Sequence, residues 1–395
     1  MSVSKTRVAV AALILLVVLL IVLSTYERPF RWSLPDGLPL PVVPADNPMS
    51  VVKVDLGRRL FHDGRLSING ATSCASCHRQ ELAFTDGLAR SAGATGELHP
   101  RGSMSLVNVA YASRLTWANH LLDRLETQAL TPMFGEDPVE MGMSGRESTI
   151  TALLRSDPDY RVAFPRAFPG DEDPYSILNT VRAISAFVRT IVSFDSAYDR
   201  YLRGDTVALT VGQVAGMQLF FSERLECFHC HGGLNFTDSS THANAAVESV
   251  GFHNTGLYNI DGAGGYPAGN AGLRELTGDR WDTGRFRAPT LRNIAITAPY
   301  MHDGSIEDLP SVIDHYARGG RNIAEGPYAG DGARNPYKSE FLRGFALSKE
   351  ERSNLLAFLE SLTDRSVLRN EALSDPGSGT AIARSDREHP LFAVK

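Results

Sequence analysis

The chain has 395 residues, of which 43% are hydrophobic and 21% charged, with a formal net charge of -6. At ~100 to 200 residues per domain this length predicts two or three units, and the balance of residues excludes a disordered chain and a basic nucleic-acid-binding field. Four cysteines are too few to staple a disulfide scaffold.

In chain order, Lys5 and Arg7 precede an uncharged apolar run from Val8 to Leu23. It has the form of a signal h-region or a short signal anchor, so the chain is expected to be exported. Ser24-Thr25-Tyr26-Glu27 is a poor cleavage site, which favours an uncleaved membrane anchor. Pro29, Pro35, Pro39, Pro41, Pro44 and Pro48 then predict an extended linker, read as a stalk, over 25–48.

The cysteines fall in Cys74-Ala75-Ser76-Cys77-His78 and Cys227-Phe228-His229-Cys230-His231. In this pattern two thiols add to porphyrin vinyl groups and the adjacent histidine ligates iron, so two covalently bound haem c groups are expected, with His78 and His231 as proximal ligands. Zinc is the alternative, but the two pairs start 153 residues apart, whereas a zinc ribbon needs roughly 15 to 20 residues between them.

Elements on both sides of each motif recur. Gly57-x-x-Leu60-Phe61-x-x-x-Arg65-Leu66 matches Gly216-x-x-Leu219-Phe220-x-x-x-Arg224-Leu225, and Ser105-Leu106-x-Asn108-Val109-Ala110 matches Thr290-Leu291-x-Asn293-Ile294-Ala295. This predicts a duplication. Thr210-x-x-Gln213 and Ser348-x-x-Glu351 have the form of capping boxes. The first leads into Val214, Met217 and Phe221, and the second into the stripe Leu355, Leu356, Leu359 and Leu362, which answers Ile177, Val181, Ile184 and Val188 in the first half. No alternating run of six residues suggests a strand, and 251–284 reads as a long glycine-rich loop. The expected fold is all-α. It comprises the signal segment 1–24, the linker 25–48, cytochrome-c-like haem domains at 49–204 and 205–369, and a polar tail 370–395.

Over about residues 49 to 365 the chain resembles the bacterial di-haem cytochrome c peroxidases and their MauG-type relatives. The likeness rests on Leu56-Gly-Arg-Arg-Leu-Phe61, both haem motifs, Glu81-Leu-Ala-Phe-Thr-Asp-Gly87, Pro138-Val-Glu-Met141, Ala288-Pro-Thr-Leu-Arg-Asn-Ile294 and Thr297-Ala-Pro-Tyr-Met-His-Asp-Gly304. The resemblance implies that hydrogen peroxide reacts at the haem of His78 and that the haem of His231 stores or relays an electron. It places Glu140 as the catalytic carboxylate, which the chemistry needs to move a proton between the peroxide oxygens. Gln128 matches a distal-pocket position, and Trp117 falls where the family keeps a tryptophan between the haems. The local variants Trp117-Ala-Asn and Phe134-Gly-x-x-Pro-Val-Glu look like a MbnH-type subgroup partnered with small copper-binding proteins.

For the distal ligand of the second iron, general cytochrome logic points to Met301, while the family register counted from Leu309 lands on Tyr316, where MauG-type enzymes have a tyrosine. A phenolate stabilises oxidised iron, which implies a stored high-valent state. Ala94 stands where many peroxidases carry a histidine that blocks the first iron, with His99 nearby but offset. The family's calcium positions match Thr297 and Pro299, with Gly102 in place of an asparagine. His62, His120, His242, His253, His302 and His315 show no metal-binding spacing and are expected to be structural. Three functions follow: a MauG-like enzyme that uses peroxide to oxidise a side chain, tryptophan, on a periplasmic partner protein; a cytochrome c peroxidase fed by a small redox protein; or a non-enzymatic electron carrier.

Overall fold

The computed structural model describes residues 30–377. The signal segment and the end of the tail lie outside the described residues, among which no helix is long and apolar enough to cross a membrane.

Each half is built on one close helix pair. Helix α1 (Val51–His62) opens where the Ser50 hydroxyl accepts the Lys53 N–H, and it packs on a helix spanning Ile177–Val188. Between them in sequence lie α2 (Glu147–Ser156) and α3 (Pro158–Ala167), so Ile177–Val188 is α4. In the second half α5 (Val211–Phe220) packs on α7 (Lys349–Ser361), with α6 (Leu309–Arg318) between them in sequence. Both anticipated capping boxes form, Thr210 with Gln213 and Ser348 with Glu351.

The repeated glycine marks where each pair crosses. A β-carbon on Gly57 would stand 1.8 Å from the Ala183 carbonyl oxygen, and one on Gly216 would stand 1.9 Å from that of Asn354. No side chain fits either contact, which accounts for glycine at both positions. The crossing also sets the facing of α5: Gly216 and Phe220 are buried, Val214 and Met217 are half-buried, and Phe221 is exposed. The stripe expected through Val214, Met217 and Phe221 is thus turned by one position, because the glycine must face Asn354.

Each crossing carries an aromatic triad. Phe61 lies 5.2 Å from Phe187 and 6.5 Å from Phe84 between ring centroids, while Phe220 lies 5.3 Å from Phe358 and 6.0 Å from Phe236. The two asparagines of the repeated Ser/Thr-Leu-x-Asn motif also act alike, both with positive φ. Asn108 donates its backbone N–H to Ile191 O and accepts from Ser193 N; Asn293 donates to Leu362 O and accepts from Asp364 N. The duplication read from the sequence is therefore repeated bond by bond.

Three expectations need correction. The fold is helix-rich but not all-α: β1 (Phe252–Asn254) pairs antiparallel with β2 (Arg285–Arg287), and β3 (Asn322–Ile323) with β4 (Gly330–Asp331). Strands of two or three residues are too short for an alternating signature, and the first ribbon closes the base of the 251–284 loop. Residues 30–48 are not a free stalk. Leu34 and Leu38 pack beside Tyr111, whose hydroxyl donates to Pro39 O, and Asn47 is fully buried. The polar tail begins later than residue 370, since Val367 and Leu373 enter the first half's core and Arg58 donates to Ser374 O. The end of the described chain thus straps back onto the first domain.

Asn47 joins a buried network in which its amide donates to Glu126, and both carboxylate oxygens of Glu126 accept from Nη2 of Arg189, at 2.7 and 2.9 Å. Glu126→Ala would leave the Arg189 guanidinium buried without a counter-charge and should destabilise the protein by ~3 to 5 kcal/mol. Denaturant unfolding of the haem-loaded protein measures this, and an unchanged midpoint would remove the network from the stability of the fold.

Candidate di-haem site

Cys74–Cys77 and Cys227–Cys230 each form one helical turn that leads into its histidine. Both imidazoles are held the same way: His78 Nδ1 lies 2.9 Å from Phe84 O, and His231 Nδ1 lies 3.2 Å from Phe236 O. A carbonyl only accepts, so Nδ1 carries the proton and Nε2 is left as the bare metal-binding nitrogen. Phe84 and Phe236 reach this geometry at φ 61 and φ 49, a left-handed conformation that strains a bulky residue. The repeated motif supports it, with Ser105 Oγ donating to Ala83 O and Thr290 Oγ1 to Asn235 O, each at 2.6 Å. Burial keeps both imidazoles neutral by lowering their pKa.

Each motif opens onto a cavity with mostly apolar walls. The first brings Cys74, Cys77 and His78 together with Glu140 and Gln128. Burial raises the Glu140 pKa above the ordinary carboxyl value. Ala94 does not border this cavity; its N–H donates to Glu140 O and so holds the loop that carries the carboxylate. His99 and Glu97 do border it, a placement the sequence register did not reveal. His99 Nδ1 accepts the Arg101 N–H, which ties that edge of its ring to its own loop.

The second cavity is bordered by Cys227, Cys230, His231, Trp117, Met301 and Tyr316. Both ligand candidates therefore reach it. Tyr316 projects from α6, and no protein group among the described residues bonds its hydroxyl; burial raises its pKa, so the phenol is neutral in the metal-free chain. Met301 adopts φ 69 and also borders the space between the two cavities.

The cavities suit c-type haem. Burial pushes the Cys74 and Cys227 thiols up to about 12 and Cys77 to about 11. These three are thus neutral thiols in the metal-free chain, the form that adds sulfur and hydrogen across a vinyl group. Arg287, missed in the sequence, is a second sign. Its guanidinium is buried beside both the second cavity and the space between cavities, donates to Thr116 O and contacts Met104 Sδ, and forms no ion pair among the described residues. A buried cation of this kind suits a haem carboxylate.

Trp117 borders the second cavity and the intervening space but not the first cavity. Its indole N–H donates to Gly102 O at 2.9 Å, and its carbonyl accepts the Arg287 N–H. Thr297 and Pro299 border the same intervening space as Gly102, and neither of their carbonyls accepts a protein hydrogen bond among the described residues. Of the histidines expected to be structural, His253 and His302 border the second cavity. Burial disfavours charge on both: His302, stacked on Phe286, falls to about 4, whereas at His253 the Asp238 carboxylate outweighs burial and pushes the pKa up to about 10.

Thr290→Val removes the hydroxyl that anchors the loop of Phe236 and should loosen the His231 Nδ1 bond. A less electron-rich imidazole stabilises oxidised iron less, so the potential of the second haem should rise by up to ~60 mV, a tenfold change for one electron. Spectroelectrochemical titration measures it, with the first haem unmoved as the internal control.

Comparison with known proteins agrees with this architecture. Residues 52–207 match the family described as di-haem cytochrome c peroxidase. A cytochrome-c peroxidase, IdrP1, of Pseudomonas sp. (strain SCT) is 36% identical across 87% of this chain and 89% of its own length. The methylamine utilization protein MauG of Methylorubrum extorquens is 33% identical across 84% and 83%. The crystal structure of a MauG-like protein associated with microbial copper homeostasis superposes with a TM-score of 0.86 at 51% identity, covering 88% of this chain and 99% of that one. With both Cys-x-x-Cys-His motifs and both cavities in place, the chain belongs to the di-haem cytochrome c peroxidase and MauG family of oxidoreductases.

Proposed function

We propose that this chain is a MauG-like enzyme that takes oxidising equivalents from hydrogen peroxide and uses them to oxidise a tryptophan side chain on a periplasmic partner. A small copper-binding protein is the partner that fits the reading, supported by the 51% identity to a MauG-like protein associated with copper homeostasis. The haems, when bound, supply the iron at which peroxide is reduced and on which its two oxidising equivalents are held. All else falls to side chains. Glu140 in the first cavity takes the proton from one peroxide oxygen and returns it to the oxygen that leaves, while Gln128 orients the peroxide. Trp117, beside the second cavity, joins the two haems electronically. The carbonyls of Thr297 and Pro299 offer hard oxygen donors for a calcium ion in the space between the cavities. The apolar segment 8–23 tethers the enzyme to the inner membrane.

The observation that carries this reading is the unpartnered Tyr316 hydroxyl at the second cavity. As an iron ligand it becomes a phenolate, a hard anion that favours oxidised over reduced iron. Met301 borders the same cavity and supports the second reading, a cytochrome c peroxidase in which a neutral thioether favours reduced iron and electrons come from a small redox protein.

Glu140→Gln should retain both haems and slow the reaction with peroxide by ~100-fold or more. The carboxylate is the active form and burial raises its pKa, so the wild-type rate should climb as pH rises through that raised value and then level off. Rapid mixing across pH should show the Gln variant slow and flat; a variant matching the wild type would remove Glu140 from the mechanism.

Tyr316→Met should raise the second haem's potential, abolish partner oxidation and leave ordinary peroxidase turnover. If Met301 is the ligand instead, a sulfur-to-iron charge-transfer band is present in the wild type, disappears in Met301→Ala and survives Tyr316→Phe. That pattern would move the chain to the peroxidase reading.

A further inference from the structure

We propose that Tyr266, Tyr258 and Tyr328 form a hole-transfer relay from the second haem cavity to the protein surface, with Asp303 as the proton acceptor at Tyr258. The inference rests on the reading that peroxide leaves oxidising equivalents on the second haem. A partner side chain oxidised outside the protein needs a path from that cavity to solvent.

The rings are in sequence. Tyr266 borders the second cavity, Tyr258 lies 5.4 Å beyond it between centroids, and Tyr328 a further 5.8 Å away. These are edge contacts within the usual ~4.5 to 7 Å of interacting aromatic pairs. Tyr266 is half-buried at the cavity, Tyr258 is buried at 5%, and Tyr328 reaches the surface at 46%. Phe286, 6.3 Å from Tyr266, is a benzene ring with no phenolic proton to release, and so it packs against the relay without joining it.

Oxidising a phenol is feasible when its proton has somewhere to go. The Tyr258 hydroxyl donates to Asp303 Oδ2 at 2.7 Å. Asp303 also accepts from Ser305 N, which fixes the carboxyl group beside the Tyr258 hydroxyl. Burial pushes the Tyr258 phenol up to about 12, so the phenol reaches the reaction protonated. Tyr266 donates only to the amide oxygen of Asn254, a poor base, and so serves as a contact ring. Arg321 stands 5.8 Å over the Tyr258 ring; its charge opposes a lingering radical cation and favours release of the proton to Asp303.

The step balances. Tyr258 gives one electron through Tyr266 to the second haem, which is reduced by one equivalent, and its proton passes to Asp303. An electron from Tyr328, whose own proton goes to solvent, refills Tyr258 as Asp303 returns the proton. An indole on the partner then gives Tyr328 an electron while solvent returns its proton, and two passes take two electrons and two protons from the indole, the number that reduces one peroxide to two waters.

The test treats the haem-loaded protein with one equivalent of peroxide and no partner. Optical spectra follow the oxidised haems, and freeze-quench electron paramagnetic resonance with ring-deuterated tyrosine follows the radical. Wild type should give a tyrosyl signal. Tyr258→Phe, which keeps the packing ring, should cut the signal and lengthen the life of the oxidised haem state, each at least ~10-fold. Tyr328→Phe should keep the Tyr258 radical and lose the dityrosine-linked dimer formed when two exposed Tyr328 radicals join, as read by mass spectrometry. An unchanged radical and lifetime in Tyr258→Phe would overturn the relay. Should peroxide leave no oxidised haem state in the wild type, the functional reading fails by itself. The relay is then judged with a photogenerated ruthenium(III) oxidant, whose hole must settle on Tyr258 in the wild type and not in Tyr258→Phe.

Discussion

The hydrogen bond from each proximal imidazole to the carbonyl of a left-handed phenylalanine is the constraint on which the rest of the structure depends. It sets the tautomer that leaves Nε2 for iron. The same phenylalanines, Phe84 and Phe236, send their rings into the aromatic triads at the helix crossings. The triads form only because Gly57 and Gly216 let the helices meet backbone to backbone. Helix packing, loop strain and metal-ligand orientation are thus one connected arrangement, built twice. A disturbance at any of its three levels reaches the imidazole.

The two copies are joined by polar groups buried at their junction. Ser193 accepts the amide of Asn293 and donates to Asp364, while its backbone pairs with Asn108, so the duplicated asparagines meet through one residue. A buried network in which these partners are satisfied permits few alternatives. It therefore gives the two halves a defined relative position. The strap through Val367 and Leu373 onto the first core reinforces that position by apolar burial.

What separates the two sites chemically lies outside the duplicated part. The first cavity receives Glu140 and Gln128 from segments between the haem motif and α2, and the second receives Tyr316 from α6 and Met301 from the loop before it. A carboxylate suits proton movement in peroxide reduction, and a phenol or thioether suits control of iron potential. Arg287 and Trp117, linked backbone to backbone, occupy the boundary between the sites and belong to neither repeat's common core.

The covalent haem motifs, the duplication, both capping boxes and the helix stripes were legible because each is a local pattern with its own chemistry: adjacent ligands, identical spacing, or a hydroxyl three residues from its partner. That Glu140 and Gln128 border the first cavity and Trp117 the second could be anticipated only through resemblance, since a lone carboxylate or indole carries no local signature. The tertiary structure alone decided that Arg287 faces both the second cavity and the space between cavities, that His99 borders the first cavity, that the proline-rich segment packs on the body and that the chain returns to its first domain through Leu373. Each is a contact between segments far apart in the chain, and burial at long range leaves no trace in the spacing of neighbouring residues. The same holds for the three tyrosines, whose alignment depends on how the 251–284 and 322–331 loops fold against each other rather than on any feature of either loop by itself.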